Sequence, residues 1–385
     1  MSANDFKPET WTVSSNEALK ISLVSSGQNK AIQFAPNFTY PIYGENETIF
    51  GFKDLVIHLV FNSVSFKPFI NAKFDAKMDN TEDILKNLKD KLPSDDIIIK
   101  DESIWRDICE KEESSYTLPK ESLKVHEYTT EDSNEFVVYK AKLQEDPVLL
   151  KLHRRMQIFS LLFIEAASYV DEDEPFWEIF WLFNSRTKEC LGYVTTYKYW
   201  HYKGHENFDD SAYQRKYKAR ISQFLILPPY QGKGHGSQLY NCVYNSWKND
   251  FAITELTVED PNESFDDLRD LNDLNMLYRS GFFTALANRI DDEGIQNFNW
   301  LEEERNKFKL EKRQFERCVE MILLHLQKQE AYNTVLKRRL YQKNFEALDD
   351  IPDEADKISA INSSFESLTT DYKRILDKCV FNDNK

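Results

Sequence analysis

One segment near the middle of the chain limits the possible folds more than any other. Residues 220–240, RISQFLILPPYQGKGHGSQLY, pass from an apolar strand through a Pro-Pro turn and three glycines at alternate positions into a helical sequence. Glycine allows a tight turn and lets backbone N–H groups approach a ligand closely, and the start of a helix attracts negative charge. The segment predicts a strand-to-helix elbow, which either holds a pyrophosphate or is a tight turn without a ligand.

Two common phosphate-binding motifs do not fit this elbow. The dinucleotide-binding fingerprint requires a glycine three residues after Gly234, where this chain has Ser237. A P-loop requires Ser or Thr directly after its Gly-Lys pair, but Lys233 is followed by Gly234. Both motifs are excluded.

The sequence around the elbow predicts an α/β (α+β) fold in three parts. Residues 1–120 alternate β-rich runs with polar turns and include one helical stretch, TEDILKNLKDKL, which indicates a mixed α/β domain. Residues 121–285 alternate strands and helices and predict a mixed sheet with flanking helices. The charged segment 101–145 is interpreted as a linker or a weakly packed excursion. Residues 286–385 are predicted to be helical, and whether they are ordered after residue 351 is open.

The composition limits the partners and the compartment. The 385 residues include 49 Lys and Arg against 65 Asp and Glu, a net charge of −16, which argues against general nucleic-acid binding and favours a basic partner. The cysteines are too far apart for a CxxC metal pair or a disulfide scaffold. They are predicted to be reduced thiols of an intracellular protein: Cys109, Cys190, Cys242, Cys318 and Cys379. With no apolar leader or spanning stretch, the chain is expected to be soluble and not secreted.

The elbow fits a different signature, Gln-x-x-Gly-x-Gly over residues 231–236, after an apolar strand that ends in proline. This is the acetyl-CoA signature that the chain shares with the GCN5-related N-acetyltransferase (GNAT) superfamily. Further segments resemble the catalytic subunits of type B histone acetyltransferases: FTYPIYGENETIFGFKDL, FKPFINAKF, HRRMQIFSLLFIEAASYVDEDEPFW, GYVTTYKYW and TVEDPNESFDDLRD. The resemblance covers about residues 1–325 and leaves the last 60 or so residues unaligned.

The resemblance implies an acetyl-CoA-dependent enzyme without a metal. Its expected substrates are lysines in the N-terminal tail of free, newly synthesised histone H4, acetylated by direct transfer in a ternary complex. The expected partners are histone H4 with H3 and a WD40 histone-binding subunit, in cytoplasm and nucleus, without direct DNA or membrane binding. Two alternatives stay open: a GNAT acetyltransferase for another protein or a small amine, and a non-catalytic histone-binding chaperone.

The chemistry requires a base, because a lysine ammonium of pKa about 10.4 must lose a proton before its nitrogen can attack a thioester. The sequence TVED places Glu259 and Asp260 at the end of the strand that follows the elbow. The resemblance implies that Glu259 is the general base and that Asp260 and Glu165 are supporting carboxylates. The alternatives are that Glu259 caps the next helix and that Glu165 is a solvated helix position.

The resemblance also implies the cofactor-binding residues. Backbone groups of Phe224, Leu225 and Ile226 would contact the pantetheine arm, and Asn262 would lie near the pyrophosphate. The elbow itself would hold the pyrophosphate through Gln231, Gly232, Lys233, Gly234, His235, Gly236 and Ser237. For His235 we expect a phosphate-adjacent or exposed ring rather than a catalytic one.

The implied substrate-binding residues are aromatic and acidic. An aromatic strand and a loop tryptophan would line a groove for an extended tail, and an acidic turn in the N-terminal domain would face its lysines. These positions are Trp177, Tyr197, Lys198, Tyr199, Glu45, Asn46 and Glu47. The alternative interpretation is that the aromatic residues belong to the core and that the charged turn is only solvated.

Overall fold

The computed structural model describes residues 7–25, 31–202, 204–205, 215–293 and 298–381. By its internal contacts the chain divides into two compact units. Unit 1 comprises Met1–Lys198 and Ile221–Cys242, and unit 2 comprises Tyr199–Arg220 and Val243–Lys385. The sequence predicted three domains with continuous ranges, 1–120, 121–285 and 286–385. Because the two compact units are defined by contacts and are discontinuous, they do not test these domains, which stay predictions.

The first part of unit 1 is built on a mixed sheet. Its elements are β1 Thr12–Ser14, α1 Ser15–Ala18, β2 Leu19–Val24, β3 Ile32–Phe34, α2 Tyr40–Tyr43, β4 Thr48–Phe50, β5 Phe52–Lys53, β6 Val56–Asn62, β7 Pro68–Lys73, β8 Ala76–Lys77, α3 Lys86–Lys89, β9 Ile98–Ile99 and α4 Glu102–Ser115. The main sheet has the order β3-β2-β6-β7-β9. Ile57, Leu59 and Phe61 alternate along β6 and fill the core, as expected for a strand with one buried face.

A second sheet follows, with the order β10-β11-β12-β13-β14-β15. Its strands are β10 Lys124–Thr129, β11 Glu135–Lys142, β12 Trp177–Asn184, β13 Cys190–Trp200, β14 Tyr217–Ile226 and β15 Ile253–Val258. The pairs β10–β11, β11–β12 and β12–β13 are antiparallel. Three helices lie between its strands in the sequence: α5 Pro147–Met156, α6 Ile158–Phe163 and α7 His235–Lys248. Together the sheets and helices confirm the predicted mixed α/β class.

Unit 2 ends in a series of helices. They are α8 Glu263–Arg279, α9 Phe282–Glu293, α10 Phe298–Phe308, α11 Lys312–His325, α12 Gln329–Lys343, α13 Phe345–Asp349 and α14 Glu354–Leu376. Residues after Ile351, whose order the sequence left open, thus include the helix α14, in which Tyr372 and Ile375 are buried. Among the described residues, none of the helices combines the length and the apolar composition that crossing a membrane requires.

Two expectations about single elements were wrong. The charged segment 101–145 is not a linker: it contains α4, β10 and β11, and α4 buries Trp105 and Cys109. The helical stretch TEDILKNLKDKL contains only the four-residue helix α3, Lys86–Lys89. Its apolar residues Leu85, Leu88 and Leu92 are nevertheless buried, so the apolar spacing correctly marked a buried face in what is mostly a series of turns.

Candidate active site

The backbone of the elbow requires its glycines. After β14 a single turn, Pro228–Tyr230, leads into the loop that precedes α7. Gly232 and Gly234 have φ values of 72° and 81°, a region that residues with a Cβ rarely adopt. The side chain of Gln231 closes the turn, because its Nε2 donates a hydrogen bond to the carbonyl of Ile226 at 2.7 Å. The first residue of the Gln-x-x-Gly-x-Gly signature thus stabilises the loop itself.

His235, the first residue of α7, is buried with 3% of its surface exposed. Its Nδ1 lies 2.6 Å from the hydroxyl of Tyr128, and its ring centre lies 4.5 Å from that of Phe136. Burial lowers the pKa of His235. Of the two alternatives expected for His235, the exposed ring was wrong, because Tyr128 of β10 and Phe136 of β11 pack against the imidazole. A position next to the phosphate stays a prediction.

The end of β14 is approached closely by β13. A Cβ at Gly192 would lie only 2.1 Å from the carbonyl oxygen of Leu225, and the N–H of Leu227 donates to the carbonyl of Leu191 at 2.9 Å. In the segment predicted to contact pantetheine, Phe224 is half-buried, and Leu225 and Ile226 are buried. Gly192 was not among the residues predicted from the sequence, although a glycine inside a strand pattern indicates such a close approach.

Glu259 follows directly on β15, and both Glu259 and Asp260 are exposed. Asp260 has a positive φ of 35° and is followed by Pro261, so the chain turns sharply away from the strand. Helix α8 is capped by Asn262, whose side chain accepts the N–H of Phe265 at 2.9 Å. The alternative that Glu259 caps this helix was therefore wrong. Among the described residues, the Glu259 carboxylate has no hydrogen-bond or ion-pair partner.

Glu165 is exposed in a turn just after α6. The turn is held by the N–H of Ala166, which donates to the hydroxyl of Tyr40 at 2.6 Å. The alternative of a solvated helix position was correct about solvation but wrong about the helix.

The three residues of the acidic turn differ in their surroundings. Glu45 and Asn46 are exposed. The Glu47 carboxylate instead accepts the backbone N–H groups of Thr39 and Tyr40, at 2.5 and 3.1 Å, and the amide of Asn16 at 2.8 Å. The bond from the Thr39 N–H is the largest of the effects that lower the pKa of Glu47. Its carboxylate therefore holds the first residues of α2 in place.

The predicted aromatic substrate residues form a partly exposed cluster in unit 1. Trp177 and Tyr197 are opposite each other in the β12–β13 pair, with ring centres 5.0 Å apart. Phe176, which the sequence reasoning did not select, lies 5.6 Å from Trp177 and 6.1 Å from Tyr197 and is 43% exposed. Lys198 is half-buried, with its Nζ 3.9 Å from a carboxylate oxygen of Glu178. The cluster is not part of a closed core.

Tyr199 belongs to unit 2 and is half-buried. The guanidinium of Arg220 lies over its ring at 4.8 Å and donates to its hydroxyl at 3.1 Å. Unit 2 thus contains Tyr199, Glu259, Asp260 and Asn262, whereas the other predicted site residues belong to unit 1. Over the described part of the chain, no group of three His, Cys, Asp or Glu side chains is arranged to hold a metal ion.

Comparison with known families gives matches along most of the chain. Residues 11–165 match the model described as histone acetyl transferase HAT1 N-terminus, residues 151–264 match the acetyltransferase (GNAT) family, and residues 270–328 match fungal HAT1, C-terminal. The GNAT match includes the elbow, Glu259 and Asn262. It confirms that the fold is that of an acetyltransferase, a fold that binds acetyl-CoA.

Whole proteins match as well, and each of three relatives is called histone acetyltransferase type B catalytic subunit. The Candida glabrata protein is 53% identical over 388 residues, covering 100% of this chain and 97% of its own. The Kluyveromyces lactis protein is 52% identical, covering 98% and 94%, and the Eremothecium gossypii protein is 47% identical, covering 98% and 94%. The chain belongs to the family of histone acetyltransferase type B catalytic subunits.

Proposed function

We propose that this acetyltransferase acetylates lysines in the N-terminal tail of free, newly synthesised histone H4, with Glu259 as its general base. The observation that carries the proposal is the state of Glu259. It is an exposed carboxylate at the end of a strand of the acetyltransferase sheet, without a partner among the described residues, while Asn262 caps the helix that follows. A carboxylate held on rigid backbone but unused by the fold is available to accept a proton.

The elbow residues fit the binding of acetyl-CoA, which supplies the activated acetyl thioester when bound. An added Cβ at Gly232 or Gly234 would meet no atom within 4 Å, so this face of the loop is open for a pyrophosphate to approach the main chain. Helix α7 begins at His235 and contributes the positive end of its dipole. In this proposal Phe224, Leu225 and Ile226 hold the pantetheine arm through their backbone.

The proton leaves the lysine ammonium for the carboxylate of Glu259, directly or through one water. The exposed carboxylates of Asp260 and Glu165 add negative charge that attracts the ammonium before the transfer. Because the base acts on the amine and the cysteine of α7, Cys242, is buried, we propose direct transfer without an acyl-cysteine.

The tail would contact the aromatic cluster and the acidic turn. The rings of Phe176, Trp177 and Tyr197 offer apolar surface to the aliphatic part of a lysine and π faces to its ammonium. Glu45 is exposed and free to pair with a further basic residue. The same proposal includes H3 with H4 and a WD40 histone-binding subunit as partners, in cytoplasm and nucleus.

The substrate is tested by offering the full chain acetyl-CoA together with an H4 tail peptide, the same peptide with every lysine replaced by arginine, or spermidine. Thiol release and peptide mass are followed. We expect thiol release with the first peptide only, together with acetyl additions on its lysines. Faster turnover of spermidine would contradict the histone proposal, and binding of the tail without any transfer would instead indicate a chaperone.

A further inference from the structure

A cleft whose chemistry differs from that of the predicted acetyl-transfer site lies in unit 2, among helices α11, α12 and α14. Its volume is about 480 Å³, within the range of small-ligand sites. The side chains that line it include four cations, three serines and no carboxylate: Arg313, Arg317, Arg339, Leu340, Lys343, Asn344, Ser363, Ser364, Ser367 and Leu368. None of these residues belongs to the predicted acetyl-transfer site.

Two of the arginines are fixed by carboxylates that do not line the cleft. Arg317 donates from Nε to Asp270 at 2.7 Å and from Nη2 to Asp371 at 2.8 Å. Arg339 donates from Nε and Nη2 to the two oxygens of the buried Glu320, at 2.6 and 2.9 Å. Both guanidinium groups are therefore held in place, as they are in preorganised anion sites.

Tyr372 links the two arginines. The guanidinium of Arg317 lies 4.9 Å from the centre of its ring, and its hydroxyl donates to Glu320 at 2.6 Å. The contacts within the described part of the chain use Nε and Nη2 of each arginine and leave Nη1 of Arg317 and of Arg339 without a partner. Each guanidinium retains donors for a further acceptor.

The other two cations that line the cleft are not held in this way. Arg313 and Lys343 are exposed, and neither forms an ion pair with another described residue. Arg313 lies in the first turn of α11, where the helix dipole disfavours a cation. The hydroxyls of Ser363, Ser364 and Ser367 on α14 add neutral donors. The cleft thus concentrates hydrogen-bond donors, and Arg313 and Lys343 add positive charge that no described carboxylate pairs.

We propose that this cleft binds a small anion that carries more than one phosphate group. Arginine donates N–H groups to phosphate oxygens, and the unpartnered Nη1 of each fixed guanidinium offers one such contact. The volume of the cleft is far larger than a single phosphate needs, and Arg313 and Lys343 provide charge for additional phosphates. Binding of such an anion does not depend on which substrate the enzyme acetylates.

The test measures binding to the full chain by calorimetry in the presence of saturating acetyl-CoA, which occupies the predicted cofactor site. The ligands are inositol hexakisphosphate, pyrophosphate and inorganic phosphate, with inositol as the uncharged control. We expect the first two to bind at least tenfold more tightly than inorganic phosphate, and inositol not to bind. Pyrophosphate as tight as inositol hexakisphosphate would indicate a two-phosphate ligand. Equal binding of all three phosphates, or no binding at 1 mM, would overturn the proposal.

Matched variants locate the site. Arg313→Gln with Lys343→Gln removes the two unpaired cations, and Lys312→Gln with Lys337→Gln removes two exposed cations that do not line the cleft. The first pair should weaken binding at least tenfold and the second less than twofold. Ser363→Asp with Ser364→Asp, at two exposed positions of α14, should abolish binding. If the two double Gln variants lost affinity equally, the loss would be a general effect of charge, and this result would contradict binding in the cleft.

Discussion

His235 and Glu47 show how single side chains shape the surroundings of the predicted site. Each was selected from the sequence for a ligand, and each is bound to the protein itself: His235 to Tyr128, and Glu47 to the backbone at the start of α2. A buried polar atom without a partner costs more than an ordinary hydrogen bond contributes. These bonds therefore hold the elbow and the acidic turn in defined positions.

The bond between Tyr128 and His235 gives a prediction for stability. Replacing Tyr128 with Phe leaves the buried Nδ1 of His235 without its partner, and we expect a loss of about 1–2 kcal/mol in the free energy of unfolding. Urea unfolding of the full chain measures it. The matched control is Tyr341→Phe, at a tyrosine that is 48% exposed, which should change stability by less than about 0.5 kcal/mol. Equal effects of the two variants would contradict the packed role of His235.

At the residue scale, the sequence predicts what is local. The strand, the Pro-Pro turn and the elbow glycines follow from neighbouring residues, and the structure has them where they were expected. The contact of Tyr128 with His235 joins positions 107 residues apart, and no local pattern contains it. Phe176 was missed for a similar reason, because only the pairing of β12 with β13 brings it to Tyr197.

Among the elements, α4 and α5 are joined by a buried ionic network that no motif indicated. Arg155 of α5 is buried and donates to both carboxylate oxygens of Asp96 and of Glu112. Lys67 adds an ion pair with Asp96 at 2.6 Å. The network explains why the segment predicted as a linker is instead folded, because Glu112 of α4 is one of its members.

Replacing Arg155 should remove the main ion-pair partner of Asp96 and Glu112. We expect Arg155→Met to destabilise the protein by about 2–4 kcal/mol at pH 7, because two partly buried carboxylates lose the buried arginine that pairs with both and keep only one lysine each. The control is Arg106→Met, which removes an exposed ion pair with Glu102 on α4 and should cost less than about 1 kcal/mol. Denaturant unfolding of both variants measures the difference, and similar losses would contradict the importance of the buried network.

The same network predicts a pH dependence. Burial alone would raise the pKa of both carboxyls, but Arg155 outweighs it, lowering the pKa of Glu112 to about 2 and that of Asp96 well below its usual value. Because folded pKa values lie below unfolded values of about 4, the stabilisation is complete above pH 5 and is lost as the pH falls towards 2. The stability gap between wild type and Arg155→Met should therefore shrink between pH 5 and 3. A stability difference that stayed constant over this pH range would contradict the role of Arg155 in lowering these two pKa values.

The order of strands and helices was largely predictable, and their ends were less so. The β-rich runs of residues 1–120 include β6, the helical sequence after the elbow is α7, and the C-terminal region predicted to be helical includes α11. Residues 286–385 were predicted to be helical without internal ends, but α10 ends at Phe308. Lys309 has a positive φ of 56°, and its carbonyl accepts the N–H of Leu256 on β15 at 2.7 Å. A partner from a distant strand ends the helix, which helical periodicity cannot show.

On the scale of the whole molecule, the dominant property is a net charge of −16. Charge of one sign accelerates the approach of an oppositely charged partner and has little influence on the fold. A lysine-rich tail is such a partner. The contribution is long-range, so dissolved salt screens it over about 10 Å at 0.1 M.

Salt should therefore weaken binding of the tail more than it slows acetyl transfer. Between 50 and 300 mM NaCl we expect the KM for an H4 tail peptide to rise at least threefold, with kcat changing less than twofold. A tail peptide whose other lysines are already acetylated carries less charge and should show a smaller rise. Equal salt dependence of the two peptides would contradict electrostatic attraction of the tail.

The central claim is that Glu259 removes the proton from the substrate lysine, and the most direct test compares Glu259→Gln with wild type and with Glu303→Gln, an exposed carboxylate of unit 2 outside the site. For each, kcat with the H4 tail peptide and the dissociation constants for the peptide and acetyl-CoA are measured across pH. The account predicts that Glu259→Gln lowers kcat at least 100-fold, with both dissociation constants within threefold of wild type and Glu303→Gln unchanged. A kcat within threefold of wild type in Glu259→Gln would contradict it.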